Sequence, residues 1–200
     1  MEFAIIDYGA SNMFSLIASF KRADVQVKIV DGKEKLEEYS AIILPGVGNF
    51  TSAVQKIFKI KNNILEAIAK GTFIFGICLG MQLLFNESEE GRGEGLGVFE
   101  GKVVKFPKTL KVPHMGWNLV EPQGYSVLLS NFDVESWAYF AHSYYPKPSN
   151  NRIVKGTTYY GVKFASVVEA KNVFGTQFHP EKSGEFGRHI IRNFVEYVRR

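Results

Sequence analysis

The single cysteine of this chain, Cys78, stands where two patterns meet, in Thr72-Phe-Ile-Phe-Gly-Ile-Cys-Leu-Gly-Met-Gln-Leu-Leu-Phe85. A strand-favouring apolar run leads into Gly76-Ile-Cys-Leu-Gly80, and helix-like spacing follows. This pattern predicts a nucleophile elbow, a sharp strand-to-helix turn that presents its central side chain while small residues on either side let the backbones approach. Such a turn needs a strand whose carboxyl end opens onto a crevice, which points to an α/β sheet. A thiol so placed faces unpaired N–H groups and the positive end of a helix dipole, both of which favour the thiolate. The same N–H groups suit an oxyanion once the sulfur has attacked a carbonyl. A buried, inert cysteine is the competing reading, because free cysteines are commonly buried. Finding a partner base decides between the two.

The first half of the chain alternates strands and helices. Phe3 to Ile6 reads as a strand ending in the Asp7-Tyr8-Gly9 turn, and Met13, Phe14, Leu16, Ile17 and Phe20 recur at helical spacing behind Asn12 as N-cap. Val25, Val27 and Ile29 alternate as in a strand, and Ala41 to Leu44 is a buried strand interrupted by Pro45-Gly-Val-Gly48. Helical patterning covers Thr51 to Phe58 and Ile64 to Ala69, ahead of the Cys78 strand. Near-continuous apolar strands between helices predict an α/β fold, a mostly parallel central sheet with helices on both faces. Polar Glu87 to Gly95 reads as a loop. From Val98 to Phe178 the chain is strand-rich with frequent turn residues, which predicts additional antiparallel strands. Ile190, Ile191, Phe194, Val195 and Val198 share one face of a final helix. With 46% hydrophobic residues and no internal repeat or linker, a single domain over residues 1–200 is expected.

The candidate base lies in Gly175-Thr-Gln-Phe-His-Pro-Glu-Lys-Ser183. Val173 to Phe178 reads as a strand, which places His179 at its end, where α/β sheets present functional groups. A Cys–His pair needs a third group to hold the imidazole tautomer and stabilise its cation, and Glu181 suits that role. A capped loop with a solvated glutamate is the alternative for His179-Pro-Glu181 taken alone. Pro45-Gly46-Val47-Gly48 is the third piece. Two glycines after a strand leave main-chain N–H groups able to face an oxyanion, so the backbones of Val47 and Leu79 are candidate donors. An ordinary turn explains the same residues when they stand alone.

Together these pieces resemble the triad, or class I, glutamine amidotransferases, whose motifs are a strand–Cys–helix elbow with Gln four residues on and a later His-Pro-Glu. Here these are Cys78, Gln82 and His179-Pro-Glu181. The resemblance implies that Cys78 attacks the side-chain amide of L-glutamine to give a glutamyl thioester and ammonia, that His179 moves the proton and that Glu181 orients His179. Pro45-Gly-Val-Gly-Asn-Phe50, Gly101-Lys-Val-Val-Lys-Phe106, Pro113-His-Met-Gly-Trp-Asn118 and the Lys182-Ser183 pair narrow the likeness to one branch. That branch comprises glutaminase subunits that supply ammonia to a separate (β/α)-barrel cyclase subunit in histidine biosynthesis, as a heterodimer. The resemblance implies that Gly46, Gly48, Gln82, Glu90, Ser143 and Tyr144 hold the glutamine, with Glu90 toward its ammonium and Gln82 toward its carboxylate. It implies that Asn12, Met115, Trp117, Tyr139 and Lys182 meet the partner, and that no cofactor or metal takes part. Composition by itself favours Met115 and Trp117 as core residues. Ser11 stands where the family usually has glycine, and Ser143 where it often has threonine.

The bulk properties narrow the rest. A single cysteine excludes an intrachain disulfide framework and a cysteine-rich zinc site, and fits a reducing compartment. No leader-like segment begins the sequence and no apolar run reaches membrane-spanning length, so a cytoplasmic protein is expected, with no membrane partner. The net charge of +4 comes from scattered Lys and Arg without interleaved aromatics, which argues against nucleic acid. Two other readings remain at this stage: a glutaminase subunit of another synthase, and a catalytically silent regulatory module of the same fold.

Overall fold

The computed structural model describes residues 1–9, 13–132 and 136–200. Strand β1 (Glu2–Ile6) is followed by helix α1 (Met13–Arg22), strands β2 (Gln26–Val30) and β3 (Ala41–Leu44), helices α2 (Phe50–Ile57) and α3 (Lys61–Ala69), and strand β4 (Phe73–Ile77). A one-turn helix α4 (Leu79–Gln82) leads to β5 (Phe85–Ser88), β6 (Phe99–Lys105), β7 (His114–Pro122), β8 (Ser136–His142) and β9 (Tyr144–Pro148). Then come β10 (Val154–Tyr160), β11 (Val162–Ala170), β12 (Val173–Thr176) and helix α5 (Gly184–Val198).

Nine strands form one sheet in the order β2-β1-β3-β4-β12-β11-β10-β7-β8. From β2 to β12 neighbours run parallel, and β11, β10, β7 and β8 add to them antiparallel. The strands of the second half thus extend the parallel sheet, and its last strand, β12, is inserted beside β4. A small sheet, β5-β6-β9, stands apart. Its strand β5 takes in Glu87 and Ser88, which their polarity assigned to a loop. Pairing with Lys102 and Val103 of β6 holds them extended although they are not buried.

Strand β1 shows why these strands are apolar on both faces. Side chains alternate across a strand, so Ala4 and Ile6 enter a core with Phe50 and Ile57 of α2 and Ile64 of α3. Phe3 and Ile5 enter a second core with Leu16 and Phe20 of α1 and Ile190 and Phe194 of α5. The Phe3 ring meets Phe20 and Phe194 edge-on, at 5.7 and 5.8 Å between centroids. Each fully buried side chain of this size contributes roughly 1.5–3 kcal/mol. Ile29, in the strand read from Val25, Val27 and Ile29, is 47% exposed, and its strand β2 lies at the edge of the sheet. The α1 N-cap expected at Asn12 lies outside the described residues. Asn49 caps α2, its side chain accepting from the Ser52 N–H at 3.2 Å. Among the described residues no helix is long and apolar enough to cross a membrane.

Glycine makes the β4–α4 junction sterically possible. A Cβ on Gly80 would stand 1.8 Å from the Leu44 carbonyl oxygen of β3, and one on Gly76 would stand 2.6 Å from the Gly80 carbonyl oxygen. Both obstacles are backbone and cannot rotate away. Gly80→Ala is expected to cost about 3 kcal/mol by overpacking and to lower the thermal midpoint accordingly. An unchanged midpoint would show that α4 does not depend on this approach.

Candidate active site

Cys78 occupies the junction with φ +54° and ψ −107°. A non-glycine residue pays roughly 1–3 kcal/mol to stay in so sparse a region, and such residues concentrate at functional sites. Its N–H donates to the Thr176 carbonyl of β12 at 2.7 Å, which ties the elbow to the neighbouring strand. Helix α4 is a single turn of four residues. The helix dipole expected at the sulfur is therefore that of one turn only.

His179 follows the end of β12. Its N–H donates to the Tyr139 carbonyl of β8 at 2.9 Å. Ser183 Oγ donates to the His179 carbonyl at 2.6 Å and accepts from the Tyr139 N–H at 2.9 Å. Pro180 opens a short 3-10 turn that brings Glu181 back, so that its Oε1 lies 2.9 Å from His179 Nδ1. The two side chains are 6% and 3% exposed. A carboxylate accepts, so Nδ1 carries the proton and Nε2 is the atom left for the sulfur. Burial is the largest influence on the His179 pKa and pulls it down. Negative charge on the Cys78 sulfur, then the Glu181 carboxylate, outweigh burial and push it up to about 10. Nε2 and Glu181 Oε2 are buried and make no other hydrogen bond within the protein.

A cavity of ≈ 200 Å³ opens at the sulfur. Val47, Gly48, Leu79, Gln82 and Glu90 line it from one half of the chain, and Pro113, Met115 and the run Ala141–Tyr144 from the other. Gly48, Gln82, Glu90, Ser143 and Tyr144, assigned to glutamine from the sequence, thus come together. Gly46 does not line the cavity. It is packed under Leu79 and Tyr8, where a Cβ would stand 2.7 Å from the Leu79 Cβ and 2.6 Å from the Tyr8 hydroxyl. That hydroxyl donates to the Pro45 carbonyl, and burial, reinforced by charge on Cys78, raises the Tyr8 pKa and keeps the phenol a donor.

Glu90 Oε2 accepts from the Phe50 N–H at 2.7 Å, so the carboxylate also serves the start of α2. Gln82 Nε2 donates to the Tyr144 carbonyl at 2.9 Å and to Gln177 Oε1 at 3.1 Å. Its amide protons are committed to those two acceptors, and its oxygen is the polar atom left over. The Leu79 N–H is directed at the Gly46 carbonyl at 3.4 Å, and Val47 is an exposed loop residue.

Met115 and Trp117 are 65% and 53% exposed, against the core reading from composition, because they lie on the solvent side of β7. The Trp117 ring meets Tyr139 edge-on at 6.2 Å, and Lys182 Nζ lies 5.7 Å from the Tyr139 ring centre. Trp117, Tyr139 and Lys182 cluster at the His179–Glu181 turn, and Met115 lines the cavity. Asn12 and Ser11 lie outside the described residues. Among the described residues no cluster of three or more His, Cys, Asp or Glu side chains is arranged to hold a metal ion.

Sequence reasoning missed a buried polar chain behind the cavity. His142 Nδ1 lies 2.8 Å from the Tyr144 carbonyl, His142 Nε2 lies 3.0 Å from His114 Nδ1, and His114 Nε2 lies 3.2 Å from Asn118 Nδ2. The carbonyl can only accept, so each link runs one way: Asn118 donates to His114, His114 to His142, and His142 to Tyr144. Both histidines are neutral, burial lowering His114 to about 4 and His142 to about 3. His114 stood inside a quoted motif, but nothing in one dimension shows that it meets a histidine of the adjacent strand.

A sequence profile of the family "Glutamine amidotransferase class-I" matches residues 4–198. The chain belongs to the class-I glutamine amidotransferases. It is 47% identical over 195 residues to the imidazole glycerol phosphate synthase subunit HisH of Methanocaldococcus jannaschii, covering 97% of this chain and 98% of the relative. To the protein of that name in Methanothermobacter thermautotrophicus it is 43% identical over 197 residues, covering 98% of each. Among solved structures, PurLQS from Thermotoga maritima superposes with a TM-score of 0.78 at 21% identity, covering 98% of both chains. A structure described as a glutamine amidotransferase gives 0.76 at 20% identity, covering 99% of both. At those identities the likeness concerns the fold.

The neutral histidine pair makes stability depend on pH. Above about pH 6.5 both histidines are neutral whether folded or unfolded, and below it the unfolded chain takes up protons that the fold excludes. Stability is therefore complete above pH 6.5 and is lost as the pH falls toward the folded values of about 4 and about 3. At pH 5 the loss is about 2 kcal/mol per histidine. Urea midpoints measured at pH 7 and pH 5 should fall further for the natural chain than for a His114→Gln, His142→Gln variant. Equal falls would contradict the assignment.

Proposed function

We propose that this chain is the glutaminase subunit of imidazole glycerol phosphate synthase, with Cys78, His179 and Glu181 as its catalytic triad. One observation carries the reading: a buried imidazole, held at Nδ1 by a carboxylate 2.9 Å away, stands behind the chain's single thiol at the mouth of a cavity sized for an amino acid. The sulfur attacks the side-chain amide carbon of L-glutamine. Protonated His179 gives its Nε2 proton to the departing nitrogen, which leaves as ammonia, and a glutamyl thioester remains. Neutral His179 then takes a proton from water, the resulting hydroxide attacks the thioester carbonyl, and the carbon–sulfur bond breaks to give glutamate and restore the thiolate. Glu181 fixes the tautomer and stabilises the imidazolium throughout.

Glu90 and the Gln82 oxygen suit the ammonium of the substrate, and Gly48, Ser143 and Tyr144 shape the rest of its site. The oxyanion donors are the N–H groups of Leu79 and Val47. In the resting arrangement Leu79 is directed at the Gly46 carbonyl, so the Pro45–Gly48 loop must turn before that donor is free. One such donor is worth about 3 kcal/mol, which makes the loop a restraint on an otherwise complete site. The ammonia passes to a separate (β/α)-barrel cyclase subunit in a cytoplasmic heterodimer. That subunit joins it to a phosphoribulosyl intermediate to form imidazole glycerol phosphate and an aminoimidazole carboxamide ribotide. The exposed Met115 and Trp117, with Tyr139 and Lys182 beside the catalytic turn, form the face toward this partner, together with Asn12. The closed Glu181–His179 pair and the strained elbow disfavour a silent regulatory module, which has no need of either.

Replacing Cys78 by Ser in the assembled complex should lower glutamine-dependent turnover more than about 10³-fold. Turnover with added ammonium should stay within about twofold, because that route bypasses the elbow. Survival of glutamine-dependent turnover would remove Cys78 from the mechanism. Ammonia release by the natural chain should rise when the barrel subunit is added, and no rise would assign the glutaminase to another synthase.

A further inference from the structure

Gln177 has no part in the triad, yet it is fully buried and its Nε2 lies 3.6 Å from the Cys78 sulfur. Which end of this amide faces the sulfur follows from its surroundings. The Tyr144 carbonyl accepts from Gln82 at 2.9 Å, so the Gln82 atom there is its nitrogen. The same nitrogen lies 3.1 Å from Gln177 Oε1, so that atom is the Gln177 oxygen and its nitrogen faces the sulfur. Turning Gln177 over would set its nitrogen against the Gln82 nitrogen and its oxygen against an electron-rich sulfur. Turning Gln82 over would set its oxygen against the Tyr144 carbonyl. Neither amide can reverse without burying a repulsive contact. The Tyr144 carbonyl is itself held from its other side by His142 Nδ1 at 2.8 Å.

We infer that Gln177 is a further catalytic residue, whose amide N–H donates to the Cys78 sulfur and whose direction is set by Gln82 and the Tyr144 carbonyl. The inference rests on the reading of Cys78 as nucleophile. A hydrogen bond to the charged form of a group favours that form, and sulfur carrying a full negative charge accepts far better than a thiol or a thioester. Gln177 therefore supports the sulfur when it is about to attack and again when it is expelled from the thioester. Gln177 directly follows β12 and His179 stands two residues on, so one short run past the strand end supplies both the proton shuttle and the partner of the thiolate.

Because Cys78 is the chain's single cysteine, its reaction with iodoacetamide reads the sulfur directly, without glutamine or the barrel subunit. Gln177→Met keeps the side-chain length and removes the donor. Its alkylation rate constant should fall about tenfold at pH 7, equivalent to about 1.4 kcal/mol. At pH 10, where an ordinary thiol is charged in any case, it should stay within about twofold of the natural chain. Gln82→Met leaves Gln177 in place but frees its amide to turn, and should give about a threefold fall at pH 7 with the same recovery at pH 10. This second variant decides the matter if the first does not fold. Unchanged rates at pH 7, or equal falls at both pH values, would overturn the inference, the latter because lost packing or access acts at every pH. These outcomes are independent of whether Cys78→Ser abolishes glutamine turnover, so the two readings fail separately.

Discussion

The pairing of β4 with β12 is the constraint on which the site depends. These strands lie far apart in the chain, yet Ile77 stands opposite Thr176 in a parallel register, and the Cys78 N–H extends the ladder to the Thr176 carbonyl. The register places the elbow at the carboxyl end of one strand and the Gln177–His179 run at the same end of its neighbour. Slipping a strand by one residue turns every side chain to the other face, which would move His179 away from the sulfur and Gln177 with it. The two glycines flanking Cys78 serve the same register, since without them α4 cannot settle against β3.

Around that pairing the molecule concentrates polar groups where water is scarce. His114, His142, Gln82, Gln177 and His179 are all nearly fully buried. Buried polar groups are tolerated when their hydrogen bonds are made, and costly otherwise. Here the links converge on one main-chain acceptor, the Tyr144 carbonyl, which removes any freedom of tautomer or amide direction along the chain. Among the described residues, the buried side-chain atoms without a partner are His179 Nε2 and Glu181 Oε2 in the triad and the hydroxyls of Thr158 and Ser166. The two triad atoms lie where a proton transfer has to be made, and an unpartnered ring nitrogen there is free to take part in it.

Much of this was legible in one dimension, for identifiable reasons. The strand–helix alternation, the elbow and the His-Pro-Glu base are local patterns, and local patterns survive in sequence. The alternation through Val25, Val27 and Ile29 was readable as a strand, but its place at the edge of the sheet was not, because strand order is a property of the whole sheet. Met115 and Trp117 failed the composition argument because composition does not say which face of β7 is covered, and these two lie on its exposed face. Glu87 and Ser88 were misread because a polar strand on a small outlying sheet has no apolar alternation to reveal it. The histidine pair and the Gln82–Gln177 contact join distant segments and became visible with the fold.

The central claim is that the Cys78 sulfur attacks the side-chain carbon of glutamine within this cavity. A diazoketone analogue of glutamine that alkylates the attacking nucleophile tests it most directly, applied to the complex with the barrel subunit and followed by mass spectrometry of the digested chain. The account predicts one adduct per chain, on the peptide that carries Cys78, with labelling suppressed by excess glutamine. An adduct on another residue, or labelling of Cys78 that glutamine does not suppress, would contradict it.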